Sequence, residues 1–167
     1  LAGIAAEYGG GNFKWTANTE ERNRLWQARH DAAYACKAMS PTGEIWATDV
    51  CVPISRLADC ITETQADIKD TGVLAPIAGH VGDGNFHLCL IIDPDNPDER
   101  DRAEALHERM VMRALSMGGT CTGEHGIGYG KLDFLVAEHG EAVSVMRSIK
   151  QALDPDNIMN PGKILRI

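Results

Sequence analysis

One Asp-Gly pair between two apolar runs constrains the fold of this chain more than any other feature of its sequence. Asp83 and Gly84 lie at the centre of HVGDGNFH, and the residues on either side of that stretch are mostly apolar. Asp-Gly in this setting is typical of a two-residue hairpin loop, because a type I′ turn needs positive φ at both central positions. The sequence therefore predicts an antiparallel hairpin over 74–92. With that turn, His80 lies directly opposite His87, and both side chains share one face of the sheet.

Two helices with apolar stripes flank the hairpin and extend it into a larger unit. Leu57, Ile61 and Ile68 recur at helical spacing before it, and Asn96-Pro97 begins a second helix after it with a cap and a first-turn proline. The predicted elements in chain order are an irregular segment over 1–20, a helix over 21–39, a strand over 44–52, a helix over 55–71, hairpin strands over 74–81 and 85–92, a helix over 97–117, a short strand over 119–123 and two helical stretches between 131 and 153. The order β-α-β-β-α-β predicts an α+β, ferredoxin-like fold: an antiparallel sheet with helices on one face, plus extra C-terminal helices.

Length and composition exclude several classes of protein. A chain of 167 residues is long enough for one domain with its own core, and a net charge of −8 argues against a nucleic-acid surface. No apolar run approaches the ~18 residues of a membrane span, and the first residues do not have the pattern of a signal peptide. Five cysteines without CxxC spacing predict reduced thiols and a cytoplasmic protein, free or peripheral to a membrane. Because the chain begins at Leu1 rather than Met, we expect it to be a piece of a longer polypeptide.

Two histidines on one face of a hairpin, together with a nearby acid, suit a metal ion. His80 and His87 supply two imidazoles, and Glu124, which lies between glycines in TGEHGIGYGK, is the best remaining carboxylate. Two imidazoles and one carboxylate are the ligand set of a catalytic metal site that keeps an open position. Zinc is the default ion for these ligands and manganese the alternative. Glu124 reaches the histidines only if its loop folds back, so the residues alone leave an unmetallated surface pair equally open.

Other polar residues carry weaker signals. Arg29 in LWQARH is a candidate for binding a carboxylate through two N–H groups, although a lone arginine on a helix is more often a surface cation. His107 and His139 lie in polar helical stretches, and we expect both to be solvated. GIGYGK lacks the spacing of a phosphate-binding loop, and GHVGDG lacks that of a dinucleotide fingerprint. Neither stretch therefore predicts nucleotide binding.

Five segments, in this order, resemble the C-terminal domain of FAD-linked oxidases, flavoproteins of the vanillyl-alcohol-oxidase type. The segments are LWQARH, TDVCVPISRL, GHVGDGNFH, GTCTGEHGIG and LDPDNIMNPGKIL. The similarity extends over nearly the whole chain from about Gly10, and the combination of HVGDGNFH, TGEHGIG and NPGK is highly specific. Within this family the chain is most similar to the flavin-dependent D-lactate dehydrogenases of the cytochrome type, with glycolate oxidase subunits and D-2-hydroxyglutarate dehydrogenases as relatives.

The resemblance implies roles that spacing alone does not assign. Three residues would be the ligands of a divalent metal ion, zinc or manganese: His80, His87 and Glu124. His125 would be the base that takes the proton from the substrate hydroxyl, while the α-hydrogen leaves as hydride to the flavin. Arg29 would bind the substrate carboxylate, and Asn160 of the NPGK segment would lie beside the flavin ring.

The resemblance also implies that residues 1–167 form the substrate-binding, or cap, domain of a longer FAD-dependent D-2-hydroxyacid dehydrogenase. FAD would be held mainly by an N-terminal domain of the same polypeptide, and no segment here is similar to that domain. Ala47 and Thr48 stand where the hydroxyglutarate enzymes carry a basic residue, which favours a small 2-hydroxy acid such as D-lactate, oxidised to pyruvate. A cytochrome or quinone would accept the electrons. The other interpretations are a metal-dependent hydrolase and a non-catalytic α+β domain with a structural metal ion.

Overall fold

The structure is a computed structural model that describes residues 1–11 and 14–167. Its helices and strands, in chain order, are α1 (Ala2–Glu7), α2 (Thr19–His30), α3 (Ala32–Met39), β1 (Glu44–Ala47), β2 (Val50–Cys51), α4 (Ile54–Thr71), β3 (Ile77–His80), β4 (Asn85–Ile92), α5 (Pro97–Ser116), α6 (Leu132–His139) and α7 (Ala142–Leu153). The segment predicted to be irregular contains α1, because its alanines favour a helix. The single helix predicted over 21–39 is two helices, which meet at Asp31. The side chain of Asp31 accepts a hydrogen bond from the side chain of Gln27 at 2.9 Å.

β4 is the central strand of an antiparallel sheet. On one side, β1 and β2 pair with it in one continuous register from Glu44 to Cys51, and on the other side it pairs with β3. Beyond β2, Thr120 forms a single antiparallel bridge with Cys51. The arrangement is the predicted ferredoxin-like one, but the strand predicted over 119–123 is reduced to that bridge.

The strand predicted over 44–52 is interrupted at Thr48 and Asp49. The hydroxyl of Thr48 accepts a hydrogen bond from the Leu88 amide at 2.8 Å, where a regular ladder would use a carbonyl. The carbonyl of Thr48 lies instead 3.0 Å from Nδ1 of His87. A side chain thus replaces the backbone acceptor, and β1 and β2 are the two halves of the predicted strand.

The hairpin is present, but the predicted two-residue turn and its register are wrong. Val81–Asp83 form a short 3-10 turn, Gly84 follows with φ +77°, and His80 pairs with Asn85 instead of His87. The loop therefore uses one positive φ, where a type I′ turn needs two. Because alternate residues of a strand share a face, His80 is still a diagonal neighbour of His87, with ring centroids 6.3 Å apart.

The inward face of β4 forms the centre of the core, as the alternation of its residues predicts. Its buried side chains are Phe86, Leu88, Leu90 and Ile92. Helices α4 and α5 cover this face and are joined by ion pairs from Arg109 and Arg113 to Asp67. On the opposite face, α3 brings Cys36 beside Cys89. His87 points away from α4 and α5, toward the face on which α3 packs beside Cys89.

His107, in α5, is buried, and the expectation that it is solvated is wrong. The residue is 5 % exposed, and its ring meets Trp46 and Phe134 edge-on, with centroids 5.0 Å and 5.3 Å away. Burial, with a smaller contribution from the charge of Lys131, lowers the pKa of His107 to about 4. His139, by contrast, is exposed, as expected.

The five cysteines are free thiols, as their spacing predicts. Burial is the main factor that raises the pKa of Cys89 to about 11 and that of Cys121 to about 12. Both thiols are therefore protonated near neutral pH, which disfavours the reactive thiolate. Among the helices of the described residues, none is both long and apolar enough to cross a membrane.

Candidate metal and substrate site

Three side chains from separate parts of the chain converge beside the hairpin loop. His80 is the last residue of β3, His87 lies in β4, and Glu124 belongs to the loop after the Thr120 bridge. One ligand atom from each of the three lies within 4.8 Å of the others. Nε2 of His87 is 2.9 Å, and Nε2 of His80 is 3.7 Å, from Oε1 of Glu124. The loop therefore folds back onto the histidines, as the predicted metal site requires.

Hydrogen bonds determine which ring nitrogen of each histidine carries a lone pair. Nδ1 of His87 faces the Thr48 carbonyl at 3.0 Å, and because a carbonyl only accepts, this nitrogen is protonated. Nε2 of His80 faces Nη2 of Arg29 at 2.9 Å, and because a guanidinium only donates, this Nε2 has the lone pair. In its neutral form His87 also has its lone pair on Nε2. Protein histidines commonly bind metal ions in this state, with the second nitrogen held by an oxygen acceptor.

This donor set fits a divalent cation. The Nε2 lone pair of neutral His87 and the carboxylate oxygen of Glu124 are both acceptors, yet they lie 2.9 Å apart. Two acceptors at this distance repel each other unless a proton or a cation lies between them. Two imidazole nitrogens and one carboxylate suit zinc or manganese and leave further positions for a substrate.

A buried carboxylate that the sequence did not single out, Asp49, holds the loop of Glu124. Its Oδ2 accepts hydrogen bonds from the Thr122 hydroxyl and from the amides of Gly123, Glu124 and His125, at 2.7 to 2.9 Å. Burial raises the pKa of Asp49, but these hydrogen bonds outweigh it and hold the pKa well below its usual range. The available signal was a lone acid inside EIWATDVCV, since a charge buried in an apolar strand needs partners.

His125 lies beside the three converging side chains. Its ring stacks on His87 with centroids 4.9 Å apart and an interplanar angle of 14°, and its Nε2 is 3.8 Å from Oε1 of Glu124. Its side chain is 43 % exposed, although its amide is held by Asp49. A fixed backbone and an accessible imidazole suit a residue that exchanges a proton with a bound molecule.

A cavity of about 440 Å³ opens between the hairpin loop and the Glu124 loop. It is lined by Cys51, His80, Asp83, Asn85, Gly123 and Glu124. Asn85 is 5 % exposed, and its Oδ1 has no hydrogen-bond partner in the described part of the chain. Arg29 reaches the same place through its contact with His80. The lining thus combines an imidazole and an amide with the carboxylates of Asp83 and Glu124, and the Arg29 guanidinium lies against the imidazole.

The contacts of Asn160 are with the C-terminal segment of the chain. It is exposed, has φ +46°, and its Oδ1 accepts a hydrogen bond from Lys163 at 3.4 Å. The C-terminal segment is attached to the loop that continues from Glu124, because the Ile164 amide donates to the Gly128 carbonyl at 2.8 Å. The described contacts of Asn160 thus connect it to the end of the chain and not to the converging histidines.

The chain is similar to FAD-linked oxidases along almost its whole length. A family model described as FAD linked oxidases, C-terminal domain, matches residues 1–164. The chain is 52 % identical over 165 residues to the probable D-lactate dehydrogenase, mitochondrial, of Danio rerio, which covers 98 % of this chain and 33 % of that protein. It is 45 % identical over 163 residues to the D-lactate dehydrogenase (cytochrome), mitochondrial, of Arabidopsis thaliana, covering 97 % of this chain and 29 % of that protein.

A third relative has a different name. The glycolate oxidase subunit GlcD of Bacillus subtilis is 36 % identical over 151 residues, which cover 89 % of this chain and 32 % of that protein. The chain thus spans about a third of the length of the curated relatives that it matches.

Proposed function

The chain belongs to the FAD-linked oxidases, as their C-terminal domain, and we propose that it binds the substrate and a divalent metal ion in an FAD-dependent D-2-hydroxyacid dehydrogenase. The substrate that we propose is D-lactate, oxidised to pyruvate, because similar proteins are named D-lactate dehydrogenase. The observation that carries the proposal is the convergence of two Nε2 lone pairs and one carboxylate beside an arginine and an accessible histidine.

We propose a role for each of these residues that its chemistry supports. Three residues would hold zinc or manganese: His80, His87 and Glu124. Arg29, next to His80, would bind the substrate carboxylate through paired N–H groups. His125 would accept the hydroxyl proton at Nε2. When bound, the ion would supply a Lewis acid that lowers the pKa of the substrate hydroxyl, and the flavin would supply the acceptor for the hydride from the α-carbon. Asn160 is proposed to contact the flavin ring.

The substrate that this site accepts is proposed to have a small uncharged side chain. Thr48 is buried and uses its hydroxyl and carbonyl in hydrogen bonds, and Ala47 has only a methyl group. This segment therefore offers no cation to a second carboxylate of a substrate.

The FAD-binding domain, the electron acceptor and the cellular compartment are also proposed. FAD would be held mainly by an N-terminal domain of the same polypeptide, and a cytochrome is the proposed electron acceptor because relatives carry that word in their names. The expected compartment was the cytoplasm, but these relatives are named mitochondrial, and that compartment is the alternative. Microscopy of the tagged full-length protein distinguishes the two.

Substitution of the proposed ligands and of the proposed base should separate metal binding from catalysis. In the full-length protein, His80→Ala and His87→Ala should each lower metal content and D-lactate oxidation. His125→Asn should abolish oxidation and keep the metal. His139→Ala, on the exposed surface of α6, is the matched control and should change neither. Elemental analysis measures the metal content, and an activity assay measures D-lactate oxidation. If His125→Asn lost the metal and His87→Ala kept it, His125 would be the metal ligand and His87 would not.

Removal of the metal ion tests the same proposal without a mutation. Chelation should stop D-lactate oxidation, and added zinc or manganese should restore it, which identifies the ion. A full-length protein that binds metal but no flavin would instead support the hydrolase interpretation.

A further inference from the structure

The loop that carries Glu124 and His125 has little regular structure of its own. It follows the single Thr120 bridge, and Gly126 continues it with φ +75°, a conformation that breaks both helix and strand. Its three consecutive amides, from Gly123 to His125, all point at Oδ2 of Asp49, with N···O distances of 2.8 to 2.9 Å. Successive amides that converge on one anion form a recognised kind of backbone nest.

Asp49 also connects this loop to the hairpin. Its Oδ1 accepts a hydrogen bond from Nδ2 of Asn85 at 2.7 Å and lies 3.7 Å from Nδ1 of His87. Its carboxylate is fully buried, and Nζ of Lys131, 3.5 Å from Oδ2, offsets the negative charge. A Cβ placed on Gly123 would lie 2.1 Å from Nδ2 of Asn85, so the loop packs directly on the Asn85 side chain.

We propose that Asp49 is the positioning residue of the site: it holds Glu124 and His125 at fixed places relative to His87. The inference rests on the proposed function for the roles of Glu124 in metal binding and of His125 in proton transfer. The hydrogen bonds from their amides to Asp49 do not depend on that function. Asp49 does not line the cavity and acts through the backbone of its neighbours. Arg29 is attached to His80 and not to this loop, so Asp49 should govern metal binding and turnover more than affinity for the substrate carboxylate.

Hydrogen exchange tests the geometric part directly. In the full-length wild-type protein, the amides of residues 123–125 should be strongly protected although they lie in a loop near the surface. Asp49→Asn replaces one acceptor oxygen by a donor amide of the same size and should remove that protection, while α4 and α5 stay protected. Rapid exchange of these three amides in the wild type would overturn the proposal.

Metal affinity and kinetics test the functional part. Asp49→Asn should weaken zinc or manganese binding by roughly 10- to 100-fold, the usual effect of losing a group that orients metal ligands. At saturating metal, kcat should remain lower, because His125 is also displaced, whereas KM for D-lactate should change less. Asp67→Asn, which makes the same chemical change in the α4–α5 ion-pair network, is the control. Equal losses of metal affinity in both variants would mean that Asp49 is only structural.

A milder variant covers the case in which Asp49→Asn does not fold. Thr122→Val removes one of the four donors to Oδ2 and should produce a smaller loss of protection and of metal affinity in the same direction. Unchanged protection and affinity in Thr122→Val would count against the proposal. A wild-type protein with protected amides but no metal binding and no D-lactate oxidation would refute the proposed function and leave the positioning geometry intact.

Discussion

At the level of single residues, the histidines of this chain differ by what surrounds them. The hydrogen bond between Nδ1 of His87 and the Thr48 carbonyl leaves Nε2 of His87 available to a metal ion. Nε2 of His80 accepts from Arg29, and a metal ion bound there would replace the arginine as its partner. His107 is enclosed by Trp46 and Phe134, and in the described part of the chain its Nε2 has no hydrogen-bond partner. A charged imidazole loses its hydration when it is buried, so His107 is a neutral packing group.

Arg29→Lys should raise KM for D-lactate in the full-length enzyme. An ammonium cannot reproduce the paired N–H groups that a guanidinium presents to a carboxylate, and the loss should be about 1–3 kcal/mol of binding free energy. Steady-state kinetics measure the effect. Arg24→Lys, an exposed position on the same helix, is the matched control. An unchanged KM in Arg29→Lys would reduce Arg29 to a surface cation.

His107 should make the chain less stable in mild acid. Its pKa is about 4 in the folded chain and near 6.5 when unfolded, so below 6.5 the unfolded chain binds more protons. Its contribution to the free energy of unfolding should therefore be complete above pH 6.5 and decrease by about 3 kcal/mol as the pH falls to about 4. Urea unfolding at several pH values should show this slope in the wild type and a shallower one in His107→Phe. The same dependence of the free energy of unfolding on pH in the two proteins would contradict this role of His107.

At the level of elements, the two helices that cover the core are joined by one half-buried ion-pair network. The two carboxylate oxygens of Asp67 in α4 share the single N–H of Arg109 Nε at 3.0 Å, and Oδ1 also accepts from Nη2 at 2.7 Å. Arg113 reaches both Asp67 and the fully buried hydroxyl of Thr64, at 3.0 Å each. Hydrogen bonds from Arg109 are the largest factor that lowers the pKa of Asp67. The network fixes how α4 and α5 lie on β4.

Arg113→Met should lower the free energy of unfolding by about 1–3 kcal/mol, because it leaves a buried Thr64 hydroxyl and part of the Asp67 carboxylate without partners. Chemical denaturation measures the change. Arg56→Met, at the exposed surface of α4, breaks a pair with Asp59 and should cost at most about 1 kcal/mol. Equal effects of the two substitutions would show that the network adds nothing beyond a surface pair.

At the level of the whole molecule, the chain supplies one part of a proposed active site. The described residues bring together three imidazoles, one carboxylate and one guanidinium. The chain spans about a third of its relatives' length, and the flavin is proposed to be held mainly by another domain. Catalysis would therefore depend on residues from both parts.

The 167-residue chain, purified by itself, should be colourless and should not oxidise D-lactate. The reason is that the groups proposed to hold FAD lie in another domain. Absorbance spectroscopy and a dye-reduction assay measure the two properties, with the full-length protein as the positive control. Near-stoichiometric flavin in the isolated chain would show that this domain binds the cofactor alone.

Short-range patterns in the sequence predict the order of most elements and the core face of β4. These features depend on residues close together in the chain: the apolar period of α4 and α5, the cap at Asn96, and the alternation from Phe86 to Ile92. The sequence also pointed to the residue types of the candidate site, because HVGDGNFH and TGEHGIG concentrate imidazole and carboxylate groups between glycines.

How those residues meet depends on the folding of the hairpin loop and on contacts between segments that are distant in the chain. The hairpin register places His80 opposite Asn85, since the loop closes through a 3-10 turn and Gly84. The burial of His107 depends on aromatic rings from β1 and α6. Asp49 holds amides more than 70 positions away, and such a partner is set by packing, not by local pattern. Short-range periodicity carries no information about which distant donors a buried carboxylate will find, and so the residue that organises the site emerges only from the fold.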